Sequence, residues 1–396
     1  MSASRSAPML GYCTNVHAGA GYDQTLANLR DHALPVKAQV SPDQPMGIGL
    51  WLSAQAAREL IDTQRIDHLR TFLDDHGLVA FTLNGFPFGD FHERVVKHDV
   101  YQPDWRQQAR LDYTLDLVHI LGALLPEGVE GSISTLPLGW PSLMREGGGI
   151  EAAERAAAAR LLDLVHHLAR AELDTGKLIH VALEPEPGCL LDRGDDVIRF
   201  FNRHLLDNAD EQSVRAYLRI CHDVCHAAVM FEDQAALLRR YEQAGLKVGK
   251  VQVSSAVRVD FDALDTVGRA EAVQQLRGFA EDRYLHQTMV RRADGEMTFY
   301  DDLPEALKRE PEPGGEWRVH FHVPIYLERF GRLETTQSMI DGCLPVARAM
   351  GVQHFEAETY AWGVLPPALR VDRLADGIAK ELAWLNERMT TQNASR

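Results

Sequence analysis

Short apolar runs alternate with longer amphipathic segments along the whole chain. Residues 10–15 (LGYCTN), 47–52 (GIGLWL), 78–83 (LVAFTL), 131–136 (GSISTL), 178–183 (LIHVAL), 217–221 (YLRIC), 249–253 (GKVQV) and 354–358 (HFEAE) have the length and apolar density of buried strands. Helical patterns lie between them. Ser53 stands where an N-cap would open the helix of SAQAARELI, and YTLDLVHILGALL precedes the fourth strand. Residues 150–172 are rich in Ala and Leu, and SMIDGCLPVARAMG precedes the last strand. Strands that alternate with helices predict βαβ units and a parallel sheet, and eight such units are the number that closes a (β/α)8 barrel. The other arrangement, an open doubly wound sheet, needs a phosphate-binding glycine loop at its first turn. GAGYD at residues 19–23 lacks that spacing.

The expected architecture is therefore a single TIM barrel over residues 1–396, with one interruption. Glu184, Asp223 and Gln252 follow one another at intervals close to one barrel unit of roughly 30 residues, whereas Gln252 and Glu358 are more than three units apart. The excess holds a helical stretch (TVGRAEAVQQLRGFAEDR) and a hairpin pattern, YLHQTMVRR and EMTFY around Asp294-Gly295. A loop, KREPEPGGEW, follows. Residues 256–319 are expected to form an insertion over the catalytic face, a lid or wall too poor in apolar residues to hold its own core.

Composition narrows the class. The chain is 45% hydrophobic and 25% charged, which is the balance of a globular domain. Its net charge of -16 argues against a nucleic-acid partner, which needs a basic footprint, yet leaves room for a small-molecule substrate. Five scattered cysteines, Cys13, Cys189, Cys221, Cys225 and Cys343, form no CxxC pair, so a reducing cytoplasm fits better than a disulfide framework. The opening MSASRSAPMLGY lacks a signal-peptide core, no stretch approaches the roughly 18 apolar residues of a membrane span, and the tail MTTQNASR is expected to fray.

Barrel enzymes carry their chemistry on the loops after the strands. The fifth strand ends in LEPEP, the sixth in CHDVCH, the seventh carries Gln252, and the eighth ends in EAETY. Glu184, Asp223, Gln252 and Glu358 thus form a convergent set of oxygen donors, suited to a hard divalent ion such as Mg²⁺ or Mn²⁺, with nearby imidazoles shifting the choice toward Zn²⁺. Plainer roles exist for each. Glu184 could pair with an arginine, although a carboxylate after a buried apolar strand needs a strong partner. Asp223 could cap the following helix, and Gln252 could bond to backbone. Glu186, two residues along the strand, is the alternative ligand. His226 follows Asp223 in a D-x-x-H pattern, and His320 and His322 share one face of an extended segment. These three are candidates for an additional metal or for substrate. His17 and Asn84 also end strands, as substrate or supporting contacts. Trp140, Tyr360 and Trp362 could wall an apolar pocket or simply fill core.

LEPEP, CHDVCH and AETY resemble the metal motifs of the xylose-isomerase-like TIM-barrel superfamily, which includes sugar epimerases and repair enzymes of the endonuclease IV type. The resemblance implies Glu184, Asp223 and Glu358 as metal ligands. It also implies a histidine on the seventh strand, where this sequence offers Gln252. The D-x-x-H pattern resembles the repair-enzyme version, in which the histidine serves an additional metal. GYCTNVH, FTLNGFPFGDFH, LEPEPGC, YLHQTMVRR, WRVHFHVPIY and AETYAW, spread from end to end, resemble the EboE-type metabolite-traffic proteins. That resemblance implies work beside a prenyltransferase, a cyclase-like protein and hydrolases in a bacterial small-molecule pathway.

The reading that follows is a divalent-metal isomerase or epimerase of a sugar- or cyclitol-like molecule, with Glu184 and Glu358 exchanging a proton across the substrate and His226 or His322 steadying developing charge. Two alternatives stand beside it: a metal-dependent phosphoester hydrolase using the extra histidines, and a barrel that binds and hands on a metabolite without catalysis. The cofactor expected is Mn, Mg or Zn.

Overall fold

The computed structural model describes residues 8–391 apart from 146–147, 209 and 311–312. The opening heptapeptide and the last five residues of the tail lie outside the described residues, and Leu374–Thr391 ends the described chain as a helix. Eight parallel strands form the barrel wall: β1 (Met9–Tyr12), β2 (Met46–Trp51), β3 (Leu78–Asn84), β4 (Gly131–Thr135), β5 (Ile179–Leu183), β6 (Leu218–Asp223), β7 (Val248–Val253) and, after an excursion, β14 (His354–Ala357). Their order is that of a (β/α)8 barrel, with β14 between β7 and β1. Helices cover the outside, among them Ala54–Asp62, Gln108–Leu124, Gly149–Thr175 and Ser338–Ala349. Ser53 caps the first of these by accepting from the Ala56 amide at 3.1 Å. No helix among the described residues is long and apolar enough to cross a membrane.

The barrel closes at a narrow seam. β1 and β2 are joined by one parallel bridge, Cys13 to Gly49, rather than by a ladder. The two backbones come so close that a Cβ on Gly47 would stand 2.5 Å from the Leu10 carbonyl oxygen, so only glycine fits there.

Alternation along the strands packs aliphatic side chains against the helices and turns a polar set inward. His180 and His354 stack low in the barrel. Above them Lys250 and Glu356 pair at 2.6 Å with neither side chain exposed. Gly49 is bare because the Glu356 carboxylate occupies the place of its Cβ, which would lie 1.3 Å from Oε1. Burial alone would pull the Lys250 ammonium down, but the Glu356 carboxylate outweighs it and holds the pKa above the usual lysine value.

Between β7 and β14 lies a second, six-stranded sheet: β8 (Val257–Asp260), β9 (Thr288–Arg291), β10 (Met297–Tyr300), β11 (Glu316–Val319), β12 (Arg329–Phe330) and β13 (Leu333–Thr335). The pair β9 and β10 is the antiparallel hairpin around Asp294-Gly295. The helical stretch before it forms Thr266–Leu276. The segment expected as a loop, KREPEPGGEW, instead enters the helix Leu303–Arg309 at one end and β11 at the other, because β11 finds partners on both sides in β8 and β9. Its Pro311 and Glu312 lie outside the described residues.

Candidate metal centre

Each acidic side chain at the barrel mouth is placed by the strand that ends beneath it. Glu184 follows β5 directly, its amide bonded to the Thr135 carbonyl at 3.0 Å. Asp223 ends β6 and does two jobs. Its Oδ1 accepts from the His226 amide, capping the short helix Val224–Val229, and from the Ser254 hydroxyl, both at 2.8 Å. Its Oδ2 is buried with no hydrogen-bond partner. Glu358 follows β14, and its Oε1 accepts from Asn15 at 2.8 Å and from Asn84 at 3.0 Å. Ligand atoms of Glu184, Asp223 and Glu358 all lie within 4.8 Å of one another. Gln252 stands in register with Asp223 on the neighbouring strand, fully buried, with neither amide atom partnered.

This arrangement is electrostatically incomplete by itself. Burial, then the charges of Glu358 and Asp223, push the Glu184 carboxyl well above the carboxylate range. Burial and Asp223 raise Glu358 to about 8, with Lys250 and the Asn15 hydrogen bond drawing it back. Two buried carboxyls held above their ordinary range beside a third acidic side chain are in the state that a bound cation would reverse. The orphaned Glu184 Oε2, Asp223 Oδ2 and Gln252 amide are donors of the kind a divalent ion would satisfy, since buried polar atoms are usually partnered.

A second cluster adjoins the first. His226 donates from Nδ1 to the Pro185 carbonyl (2.9 Å), His320 from Nδ1 to Gln287 Oε1 (2.8 Å), and His322 from Nδ1 to the Glu358 carbonyl (2.7 Å). Three oxygen acceptors thus fix three tautomers and leave three Nε2 lone pairs inward, the usual preparation of metal-binding imidazoles. His226 Nε2 and His320 Nε2 face each other at 3.2 Å, and His322 Nε2 lies 3.9 Å from Asp223 Oδ2. Burial lowers His226 to about 3 and His322 to about 4, and holds His320 well below its ordinary value. Asp223, His226 and His322 form one possible ligand group, Glu186, His226 and His320 another, and Cys225, His320 and His322 a third.

Other candidates fall in different places. Glu186 lines the pocket and accepts from Tyr101 (2.8 Å) and Gln287 (2.9 Å), with burial raising its carboxyl to about 7. Asn84 and Tyr360 line the same pocket. His17 turns aside, bonded to the Tyr12 hydroxyl at 3.0 Å and stacked on His32. Trp362 donates to Glu381 at 3.1 Å, and Trp140 lies against Tyr101 behind the pocket wall. Sequence reasoning missed Asn15, Tyr101, Gln287 and the Lys250–Glu356 pair. Only Asn15 had a usable signal, because it closes the first strand run much as Asn84 follows the third.

Solved structures of xylose isomerase-like TIM barrels share this fold. A xylose isomerase-like TIM-barrel protein from Mycobacterium smegmatis, in complex with magnesium, is 12% identical over 99% of each chain with a TM-score of 0.53. A D-tagatose 3-epimerase-like protein is 11% identical over 98% of this chain and 99% of its own, with a TM-score of 0.52. An IolI protein with a bound zinc atom is 12% identical over 97% and 98%, with a TM-score of 0.50. At such identities the likeness is one of fold. No protein-family model matches the chain, and no curated protein matches its sequence.

Proposed function

We propose that the chain is a divalent-metal-dependent isomerase or epimerase of a sugar- or cyclitol-like molecule, working in a bacterial metabolite pathway of the EboE type. The observation that carries this reading is the trio of buried carboxylates, two of which line the pocket, with two oxygens left unpartnered. Glu184, Asp223 and Glu358 would hold the ion, with the Gln252 amide oxygen as a neutral fourth donor. A bound Mn²⁺, Mg²⁺ or Zn²⁺ supplies Lewis-acid polarisation of a carbonyl and its neighbouring hydroxyl. Glu184 takes the proton from the carbon beside that carbonyl, and Glu358, supplied from another strand end, delivers a proton to the other face. Asn15 and Asn84 fix which Glu358 oxygen is free to do so. The histidines take a different role from charge-stabilising donors. Their Nδ1 protons are spent on oxygen acceptors, so Nε2 offers a lone pair to an ion or a proton. From the insertion, Tyr284 and Leu285 stand in the pocket wall.

A second reading is phosphoester hydrolysis at a two-ion centre, favoured by the 3.2 Å approach of two Nε2 lone pairs that a cation would relieve. Metal analysis of the purified chain separates the two: one ion per chain supports isomerisation, and two or more support hydrolysis. Glu184→Gln and Glu358→Gln should each abolish isomerisation of a panel of ketoses and inosoles while the fold persists. Full activity in both variants refutes the mechanism. Tight metal binding with no turnover of any panel member supports a barrel that only carries its ligand.

A further inference from the structure

The floor of the pocket is polar, but its shaft is not. Above the carboxylates the empty space, about 540 Å³ with the open mouth included, runs between Phe86, Phe91, Val96, Val100, Leu285 and Tyr360. Two segments close on each other to build this shaft. Val96 and Lys97 donate backbone hydrogen bonds to the Arg283 carbonyl (2.8 and 2.9 Å), and Tyr284 donates to the Phe91 carbonyl (3.1 Å). Phe91, Tyr284 and Tyr360 pack ring against ring.

Two of the three tyrosine hydroxyls of this upper wall are already committed. The Tyr101 hydroxyl donates to Glu186 and the Tyr284 hydroxyl to backbone. Lys97 is the only lysine or arginine among the described residues lining the pocket, and it pairs with Asp302 at 2.5 Å. A hydroxyl pressed against Phe86, Val96, Val100 and Leu285 would lose its water partners and gain none, which disfavours a molecule polar at both ends. A phosphate there would meet no free arginine fork or unpaired ammonium.

Resting on the metal-isomerase reading of the floor, we infer that the substrate is amphipathic: a polyol or hydroxyketone head at the carboxylates, carrying an uncharged alkyl or aryl substituent that fills the shaft. It is not a phosphate ester at that end.

Hydroxamates test the shaft without requiring turnover, because the hydroxamate group chelates a divalent ion while its substituent varies. The full chain loaded with Mn²⁺ is titrated calorimetrically with acetohydroxamic, octanohydroxamic and phosphonoacetohydroxamic acids. The octanoyl compound should bind about tenfold or more tightly than the acetyl compound. The phosphono compound should gain nothing over the acetyl one. Leu285→Ser should shrink the octanoyl preference. Equal affinity of acetyl and octanoyl compounds, or a tenfold gain for the phosphono compound, overturns the substrate class alone and leaves the metal reading standing. Octanoyl binding that is equally tight in EDTA also overturns it, since the chain would then be held elsewhere. Failure of all three to bind Mn²⁺-loaded protein overturns both.

Discussion

Replacing Lys250 by methionine isolates the buried ion pair inside the barrel. Neither Lys250 nor Glu356 has any exposed side-chain surface, and their charged atoms are 2.6 Å apart. Glu356 Oε1 has no hydrogen-bond partner, so the substitution leaves the carboxylate without its cation and with Glu358 nearby in the same low-dielectric space. Methionine is close to the lysine stem in volume, which keeps cavity effects small. Breaking a buried pair from one side costs about 3–5 kcal/mol. That is a large share of a total stability of about 5–15 kcal/mol. Removing both charges in Lys250→Met/Glu356→Leu should recover most of the loss, because two apolar side chains need no mutual compensation. The assay is urea unfolding of the EDTA-treated protein at pH 6.5, followed by circular dichroism, with the free energies combined in a double-mutant cycle. A single variant that loses less than about 1 kcal/mol, or a double variant no more stable than the single, refutes the reasoning.

Other outcomes follow from the same geometry. Relative to a Glu358→Gln variant, the metal-free protein should lose stability as pH rises from 6.5 to about 8. Glu358 stays protonated there when folded but ionises when unfolded, while the histidines, neutral when folded and still losing protons near pH 6.5 when unfolded, contribute equally to both proteins. Urea midpoints of the two across that range should show the slope in their difference, saturating Mn²⁺ should remove it, and a flat difference in EDTA contradicts the raised carboxyls. Asn84→Ala should weaken Mn²⁺ binding about 10–100-fold by freeing Glu358, as read by metal titration, with circular dichroism unchanged. Gly49→Ala should destabilise by about 1–3 kcal/mol or more, because its methyl meets the Glu356 carboxylate. A melting temperature equal to that of the parent would contradict this packing.

The barrel was readable because its strands are apolar runs separated by amphipathic helices, and every strand run fell on a strand of the barrel. The inserted sheet was only half readable. The hairpin has a turn signal at Asp294-Gly295, but β8, β11 and β13 draw their stability from pairing with each other across tens of residues. Pairing at that distance leaves no local mark. At the centre, Glu184, Asp223 and Glu358 announced themselves as carboxylates after buried strands. His226 came with its D-x-x-H spacing and His320 and His322 as an alternating pair. Their shared orientation could not be read, since it depends on three acceptors, Pro185, Gln287 and Glu358, scattered over the chain. Trp362 shows the converse. An aromatic after a strand end reads as a pocket wall, yet its indole N–H is taken by Glu381 of the final helix.

The seam between β1 and β2 would set how long an ion at the proposed site stays. Local opening draws on the part of a structure with the fewest hydrogen bonds, and a circumference held at one point by a single bridge is weakest there. β1 leads directly to Asn15, which holds one Glu358 oxygen in place. Each transient parting of the seam therefore loosens the grip on a floor ligand. Were an ion held there, its dwell time would be tied to the breathing of the barrel wall at the Cys13–Gly49 bridge.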